Sequence, residues 1–215
     1  TFFQYRGANA HFSEESFNWD DIDCDLLHIA YILLLDELDK EDSEYGTKMA
    51  RLLAHAKERG IKTSIDVVSE TGERFGRLVP PALKYTDYCI INEIEASRST
   101  GIPLRAEDGT LIYENVKKVL SKLFELGVSE WAVIHSPEGG FGMDKDGDYA
   151  ECGLVYTPSG FIKGKVGAGD AFCAGVLSAA HRGLSLLDAV KLGNAAATVS
   201  LRSPGATEAM ETIEE

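Results

Sequence analysis

The residues best suited to chemistry form a short glycine turn, Gly167-Ala168-Gly169-Asp170, which precedes an apolar segment. Small residues let successive backbone N–H groups converge at the start of a helix, where they can bind the oxygens of an anion such as phosphate. A carboxylate in the first helical turn is favoured by the helix dipole, so Asp170 is suited to accept a proton from a hydroxyl group. The turn therefore predicts phosphoryl transfer with Asp170 as general base.

Two other phosphate-binding motifs do not fit this stretch. A Walker P-loop requires four residues between its first glycine and Gly-Lys-Ser/Thr, whereas three separate Gly160 from Gly164, and Val166 follows the lysine. A dinucleotide-binding fingerprint requires glycine where Phe172 stands, and no predicted strand leads directly into the turn. Both motifs are excluded.

The elements that must position the turn alternate between strand and helix. This alternation predicts an α/β fold in which helices connect parallel strands. Ligands in open sheets of this kind bind beyond the carboxyl ends of the strands, where Asp66 and the segment from Asn92 to Glu95 are expected. The predicted strands are 28–35, 61–68, 87–91 and 130–135, then a hairpin of 141–145 and 149–156; the predicted helices are 43–59, 74–85 (interrupted early by two prolines), 93–100, 114–126, 168–182 and 185–201.

Composition restricts the partners. Asp and Glu number 35 against 21 Lys and Arg, so no basic field attracts nucleic acid or anionic lipid. The longest apolar run, 29–35, is too short to cross a bilayer, so we expect a cytoplasmic protein with no membrane partner. The four cysteines lack CxxC spacing and are expected to be small core residues.

Lys165-Val166-Gly167-Ala168-Gly169-Asp170-Ala171-Phe172-Cys173-Ala174-Gly175 resembles the C-terminal signature of ribokinase-like sugar kinases, the PfkB carbohydrate kinase family. Asn92-Glu93-Ile94-Glu95 resembles the Asn-x-x-Glu motif of the same family. The resemblance runs from Thr1 to about Pro204. It implies one ribokinase-like α/β domain over residues 1–215, with a doubly wound, mostly parallel sheet and helices on both faces.

The same resemblance implies that about the first third of the family fold is missing, including most of a small β lid. Residues 1–10 would be a remnant of the strand that follows the lid and faces the sugar. On that strand Gln4 and Arg6 would project to one side, and Arg6 could hold substrate oxygens. Asp66 matches an acidic strand-end position of the family, although the asparagine often found two residues later is Val68 here.

The resemblance further implies ATP and Mg²⁺ as cofactors, with ATP between the final helices and the strand-end loops. Gly167, Ala168 and Gly169 would form an anion hole, and Asp170 would act as the base. Glu95, with Asn92 beside it, would position Mg²⁺ and phosphate through water. The remaining nucleotide contacts that it implies would come from Gly139 and Asn194, and a departure from the family pattern adds Lys165 as a hypothesis.

One departure concerns the cation beside the turn. Relatives carry Asp-Thr-x-Gly-Ala-Gly-Asp, in which the first aspartate helps many members to hold a monovalent cation, whereas Gly164-Lys165-Val166 precede the turn here. A monovalent-cation site is therefore expected to be weakened. The hypothesis is that the Lys165 ammonium supplies the positive charge instead, so that turnover does not require potassium. A second departure is the family's Thr-x-Gly-x-x-Gly loop, of which Gly139 alone survives.

The sequence thus favours ATP-dependent phosphorylation of a sugar or sugar derivative. Two alternatives stay open: a nucleoside kinase on the same fold, and a catalytically silent module that binds sugar or nucleotide. An aromatic sandwich for a base would favour the first, and the intact Asp170 argues against the second. A homodimer formed through lid strands is expected by analogy alone.

Overall fold

The computed structural model describes residues 5–68 and 74–212, and its centre is a six-stranded sheet with the order β1-β4-β5-β6-β7-β8. The pairs from β1 to β6 are parallel, whereas β6–β7 and β7–β8 are antiparallel. The sheet strands are β1 (Leu26–Ile32), β4 (Lys62–Val67), β5 (Tyr88–Asn92), β6 (Trp131–Ser136), β7 (Gly139–Asp144) and β8 (Tyr149–Gly153). The helices are α1 (Lys48–Glu58), α2 (Phe75–Leu83), α3 (Glu93–Thr100), α4 (Tyr113–Glu125), α5 (Ala168–His181) and α6 (Leu186–Ser200).

Helices cover both faces of the sheet because its central strands are apolar on both sides. Along β5, Cys89 and Ile91 pack into the larger core, which also contains buried side chains of α1, α2, α3 and α4. Ile90 points to the opposite face and packs with Phe172 of α5 and Val190 of α6. The predicted doubly wound architecture is confirmed.

The first helix begins later than predicted. Glu41–Asp42 (β2) and Gly46–Thr47 (β3) pair as a short antiparallel ladder, so the segment from 43 onward is a turn and not helix. The helix starts once the Thr47 hydroxyl accepts a hydrogen bond from the Ala50 N–H at 3.1 Å. Local capping chemistry therefore sets the boundary.

Two other elements differ from the predictions. The strand expected over 28–35 ends at Ile32, because Leu33 adopts a positive φ of 81° and its backbone N–H donates to Asp39 at 3.0 Å. Helix α2 continues through Pro80 and Pro81, whereas an early interruption was expected. Its buried face includes Phe75, and this packing compensates for the backbone hydrogen bonds that proline cannot make.

The N-terminal prediction is wrong over its described part. Gly7–Ala10 forms a 3₁₀ turn where an extended strand was expected, and Gln4 lies outside the described residues. Gly7 has a φ of +51°, which is incompatible with a strand. The Arg6 guanidinium pairs with the carboxylate of Asp36 and is not among the described residues that line the cavities below.

Candidate active site

The glycine turn lies at the N-terminus of α5, as predicted. Gly167 is the N-cap residue with a φ of +80°, and its carbonyl accepts a hydrogen bond from the Ala171 N–H at 2.8 Å. A Cβ on Gly167 would meet Ala206 at 2.8 Å, and one on Gly169 would meet Cε1 of His135 at 3.1 Å. The backbone therefore approaches its neighbours more closely than a side chain would allow, and the turn lies at a helix N-terminus, a position at which anions can bind.

Asp170 lies in the first turn of α5, and one of its oxygens already has a partner. The Tyr31 hydroxyl, at the end of β1, donates a hydrogen bond to Oδ1 of Asp170. These residues are 139 positions apart in the sequence, so the sheet brings them together. Burial first, and then the Asp170 carboxylate, raises the pKa of Tyr31, so its hydroxyl stays protonated and remains the donor.

Asp170 opens into a cavity of about 610 Å³, the acidic cavity. Its other carboxylates are Asp66, at the end of β4, and Glu95, in the first turn of α3. Burial first, followed by the charges of Glu95 and Asp170, raises the pKa of Asp66 to about 8. The sequence prediction that these three residues belong to one site thus agrees with their positions around one cavity.

Asn92 and Glu95 form a reciprocal capping box at the start of α3. Oδ1 of Asn92 accepts from the Glu95 N–H at 2.9 Å, and Oε2 of Glu95 accepts from the Asn92 N–H at 3.0 Å. This arrangement has a structural purpose, since it satisfies backbone donors of the helix terminus. It also fixes the Glu95 carboxylate at the wall of the acidic cavity.

A second cavity of about 340 Å³, the apolar cavity, lies on the other side of the turn. Its lining differs in chemistry because most of it comes from α5, α6 and the segment between β8 and α5. The apolar contributors are Leu154, Ile162, Ala168, Phe172, Ala197 and Leu201. His135, Lys165 and Gly169 line both cavities, so the two spaces meet at the glycine turn.

His135 lies beside the glycine turn, in the wall that the two cavities share. Its ring packs on Phe172 with the centroids 5.1 Å apart, directly beneath Gly169. Burial lowers the pKa of His135 to about 4, so the imidazole is neutral near pH 7. Among the described residues that line the two cavities, Lys165 is then the one side chain with a positive charge.

The other two predicted nucleotide contacts have structural roles. Nδ2 of Asn194 donates to the carbonyl oxygens of Cys152 at 2.8 Å and Gly153 at 3.1 Å, although the residue lines the apolar cavity. Gly139 begins β7 with a φ of +146°, and a Cβ there would meet the Cys152 carbonyl oxygen at 2.4 Å. Gly139 is not among the described residues that line either cavity.

Tyr31 is the site residue that the sequence did not indicate. It lies in an apolar stretch that predicts a buried strand, and period-two geometry does not distinguish a site-facing tyrosine from a core one. An aromatic residue at the carboxyl end of a strand was the available signal, since such ends border the ligand site.

Within residues 5–68 and 74–212, no three His, Cys, Asp or Glu side chains are close enough together to hold a metal ion. Glu95 nonetheless offers a hard oxygen donor of the kind that Mg²⁺ prefers. Mg²⁺ usually keeps several waters and binds through one or two carboxylates together with substrate phosphates. The donor set therefore fits a water-held Mg²⁺.

None of the helices within residues 5–68 and 74–212 is long and apolar enough to span a membrane.

Comparison with known proteins gives a match over almost the whole chain. The model of the pfkB family carbohydrate kinases matches residues 1–213. A 2-dehydro-3-deoxygluconokinase from Bacillus subtilis (strain 168) is 38% identical over 80 residues, which are 34% of this chain and 24% of the relative.

Solved structures show the same fold. Ribokinase from Thermotoga maritima superposes with a TM-score of 0.71 at 21% identity, over 98% of this chain and 61% of that protein. Arabidopsis thaliana ribokinase complexed with ribose and ATP gives a TM-score of 0.63 at 23% identity, over 75% of this chain and 48% of that protein. The chain thus spans about a quarter of the curated relative and about half to three-fifths of these structures.

Proposed function

Because this chain belongs to the pfkB family of carbohydrate kinases, we propose that the full-length protein transfers the γ-phosphoryl group of ATP to a hydroxyl of a sugar or sugar derivative. The observation that carries this proposal is the meeting of two unlike cavities at the glycine turn. A phosphoryl donor and its acceptor need such an arrangement, since the transferred group must lie between them.

The apolar cavity is the proposed nucleotide side. Its walls of small and aliphatic residues suit the flat apolar surface of a nucleobase, and its volume is within the range of small-ligand sites. The triphosphate would extend from it toward Gly167, Ala168 and Gly169, whose backbone N–H groups would stabilise the charge on the transferred group. Lys165, which lines both cavities, would add a fixed positive charge where the phosphates pass.

The acidic cavity is the proposed acceptor side. Asp170 would take the proton of the attacking hydroxyl, since its carboxylate borders both this cavity and the anion-binding turn. Asp66 would contact other acceptor oxygens; as a largely protonated carboxyl near pH 7, it could donate a hydrogen bond as well as accept one. Attack from this side would be in line with departure of ADP toward the apolar cavity.

Glu95 is the residue that we propose would hold Mg²⁺ through water, because its carboxylate is fixed at the cavity wall by the capping box with Asn92. Bound Mg²⁺ would neutralise charge on the phosphates during transfer. Glu95 also acts on Asp66, because the charge of Glu95 is one cause of the raised pKa of Asp66.

The names of the relatives suggest which acceptors to test first. One relative is a 2-dehydro-3-deoxygluconokinase, and the Arabidopsis structure is named as a complex with ribose and ATP. A sugar acid and a pentose are therefore the first two candidates. Nucleosides belong in the same panel, since a nucleoside kinase was the alternative enzyme.

The test is ADP release by the full-length protein with Mg-ATP and each acceptor, compared with the matched variant Asp170→Asn. We expect at least one sugar to raise ADP release, and the variant to lose about 10²- to 10⁴-fold of that turnover because it lacks the base. Binding of ATP, measured separately by calorimetry, should be retained in the variant.

Each outcome has a clear meaning. Sugar-dependent release in the wild type alone supports the proposal, and nucleoside-dependent release alone favours the alternative kinase. If ATP and a sugar both bind but no acceptor raises ADP release above the Asp170→Asn level, the protein is a binding module and the proposed reaction is wrong.

A further inference from the structure

Tyr31 contacts one of the two oxygens of the Asp170 carboxylate, which an acceptor hydroxyl would also have to reach. Its hydroxyl donates a hydrogen bond to Oδ1 of Asp170, and its side chain lines the acidic cavity beside the glycine turn. A hydroxyl that is to lose its proton to Asp170 must come within about 2.6–3.2 Å of the same carboxylate. The phenol hydroxyl and the reacting hydroxyl of a substrate would therefore compete for this carboxylate.

The phenol is well suited to hold this position without reacting. Burial, together with the neighbouring carboxylates of Asp170, Asp66 and Glu95, raises the pKa of Tyr31. The hydroxyl is thus held in its protonated form and acts as donor to the carboxylate. A hydrogen bond to an ionised acceptor is stronger than a neutral one, so a competing ligand must replace it with interactions of its own.

We propose that Tyr31 is a specificity-determining residue, whose hydroxyl caps Asp170 until an acceptor with several hydroxyl groups displaces it. The proposal rests on the proposed function, because it assigns Asp170 as the base. Water, which brings a single small hydroxyl and few other contacts, displaces the phenol poorly. A polyhydroxylated acceptor also contacts the rest of the acidic cavity, and those contacts offset the lost Tyr31 bond.

Two consequences follow. Without acceptor, Tyr31 keeps water away from Asp170 and so suppresses hydrolysis, in which water would attack the γ-phosphorus, Asp170 would take its proton and ADP would leave. With acceptor, part of the binding energy is used to move the phenol, so the acceptor KM is higher than it would be without the hydroxyl.

The experiment uses the full-length protein and three variants: Tyr31→Phe, Tyr31→Ala and the control Tyr113→Phe. Phenylalanine keeps the ring and removes only the hydroxyl. Tyr113 is 59% exposed on α4 and lines neither cavity. ADP release is measured with and without the preferred sugar, and KM is determined separately for sugar and ATP.

We expect Tyr31→Phe to raise acceptor-free ADP release about tenfold and to lower the sugar KM by about the same factor, as for loss of one hydrogen bond to a charged group. Tyr31→Ala should also accept larger alcohols, and the ATP KM should stay unchanged in all variants. If Tyr31→Phe lowers kcat but leaves acceptor-free ADP release unchanged, the proposal is wrong, because Tyr31 would then only orient Asp170.

A second measurement does not depend on turnover. Tyrosine labelled with ¹³C at the ζ carbon gives one signal per residue, and the Tyr31 signal is identified by its loss in Tyr31→Phe. Addition of sugar should shift this signal in the presence of a non-hydrolysable ATP analogue, and Asp170→Asn should shift it without ligand. If sugar-dependent ADP release is present but sugar leaves the Tyr31 signal unmoved, the Tyr31 proposal fails while the proposed function stands. If the signal moves but no acceptor is phosphorylated, the proposed function fails and displacement of Tyr31 stands.

Discussion

The two cavities that meet at the glycine turn differ in the origin of their walls. The acidic cavity takes its carboxylates from the end of β4 and from the first turns of α3 and α5, and the Asn92 amide from the end of β5. The apolar cavity is walled mainly by α5, α6 and the segment before α5. Strand ends and helix starts expose polar groups, whereas packed helix faces supply small apolar ones, so one turn can separate two ligands of unlike chemistry.

If the turn is the shared wall, damage to it should be more severe than damage to either cavity. Gly167→Ala places a side chain at a φ of +80° and brings its Cβ to 2.8 Å from Ala206. The backbone strain alone costs about 1–2 kcal/mol. The collision adds about 1–3 kcal/mol of overpacking, and we expect the displaced turn to weaken both ATP binding and phosphoryl transfer.

Gly60→Ala is the matched control for this variant. Gly60 has nearly the same φ, +79°, but a Cβ there meets nothing within 4 Å. Urea unfolding of both variants separates the two contributions, because only the strain is common to them. Equal losses of unfolding free energy and unchanged ATP binding in Gly167→Ala would contradict the shared-wall interpretation.

The apolar cavity alone should respond to a larger side chain on α6. Ala197→Leu adds three carbon atoms to the wall of a space of about 340 Å³. We expect the ATP KM to rise about tenfold, which corresponds to about 1.4 kcal/mol, because the new side chain occupies part of the nucleotide volume. The sugar KM should change little, since Ala197 does not line the acidic cavity.

Ala195→Leu is the control on the same helix, because Ala195 is exposed and lines neither cavity. It makes the same change in composition and helix propensity. A similar rise of the ATP KM in both variants would mean that the effect comes from the helix and not from the cavity, and the assignment of the nucleotide side would be wrong.

The sequence predicted one cavity better than the other, for a physical reason. Motif spacing at strand and helix ends identified Asp66, Asn92, Glu95 and Asp170, because such positions converge in any doubly wound sheet. The apolar cavity depends on which faces of α5 and α6 come together. The small residues on those faces are equally typical of ordinary helix packing, so the sequence does not distinguish the two. Tyr31 was missed because its contact with Asp170 spans 139 residues.

Boundaries were predicted least well where local hydrogen bonds compete with periodicity. α3 begins and ends as predicted, because the Asn92 cap and Gly101, with a φ of +73°, are both visible in the sequence. The start of α1 was placed too early, since residues with a helical pattern from 43 onward belong to the turn and strands of the β2–β3 ladder. For the Arg6 prediction, the extended pattern of residues 1–10 conflicts with the 3₁₀ turn at Gly7–Ala10.

The last prediction concerns the acidic cavity alone. The pKa of Asp66 is raised from 3.8 to about 8 by burial and by the facing carboxylates of Glu95 and Asp170. Between these two values the folded state binds more protons than the unfolded state, so stability falls as pH rises from about 4 to about 8.

Asp66→Asn should remove this part of the pH dependence, and unfolding free energies from urea titrations across that pH range measure it. The exposed hairpin residue Asp146, changed to Asn, serves as control and should keep the wild-type slope. Parallel pH profiles for Asp66→Asn and wild type would mean that the folded protein does not raise the pKa of Asp66, and the proposed role of Asp66 as a hydrogen-bond donor to the acceptor would be wrong.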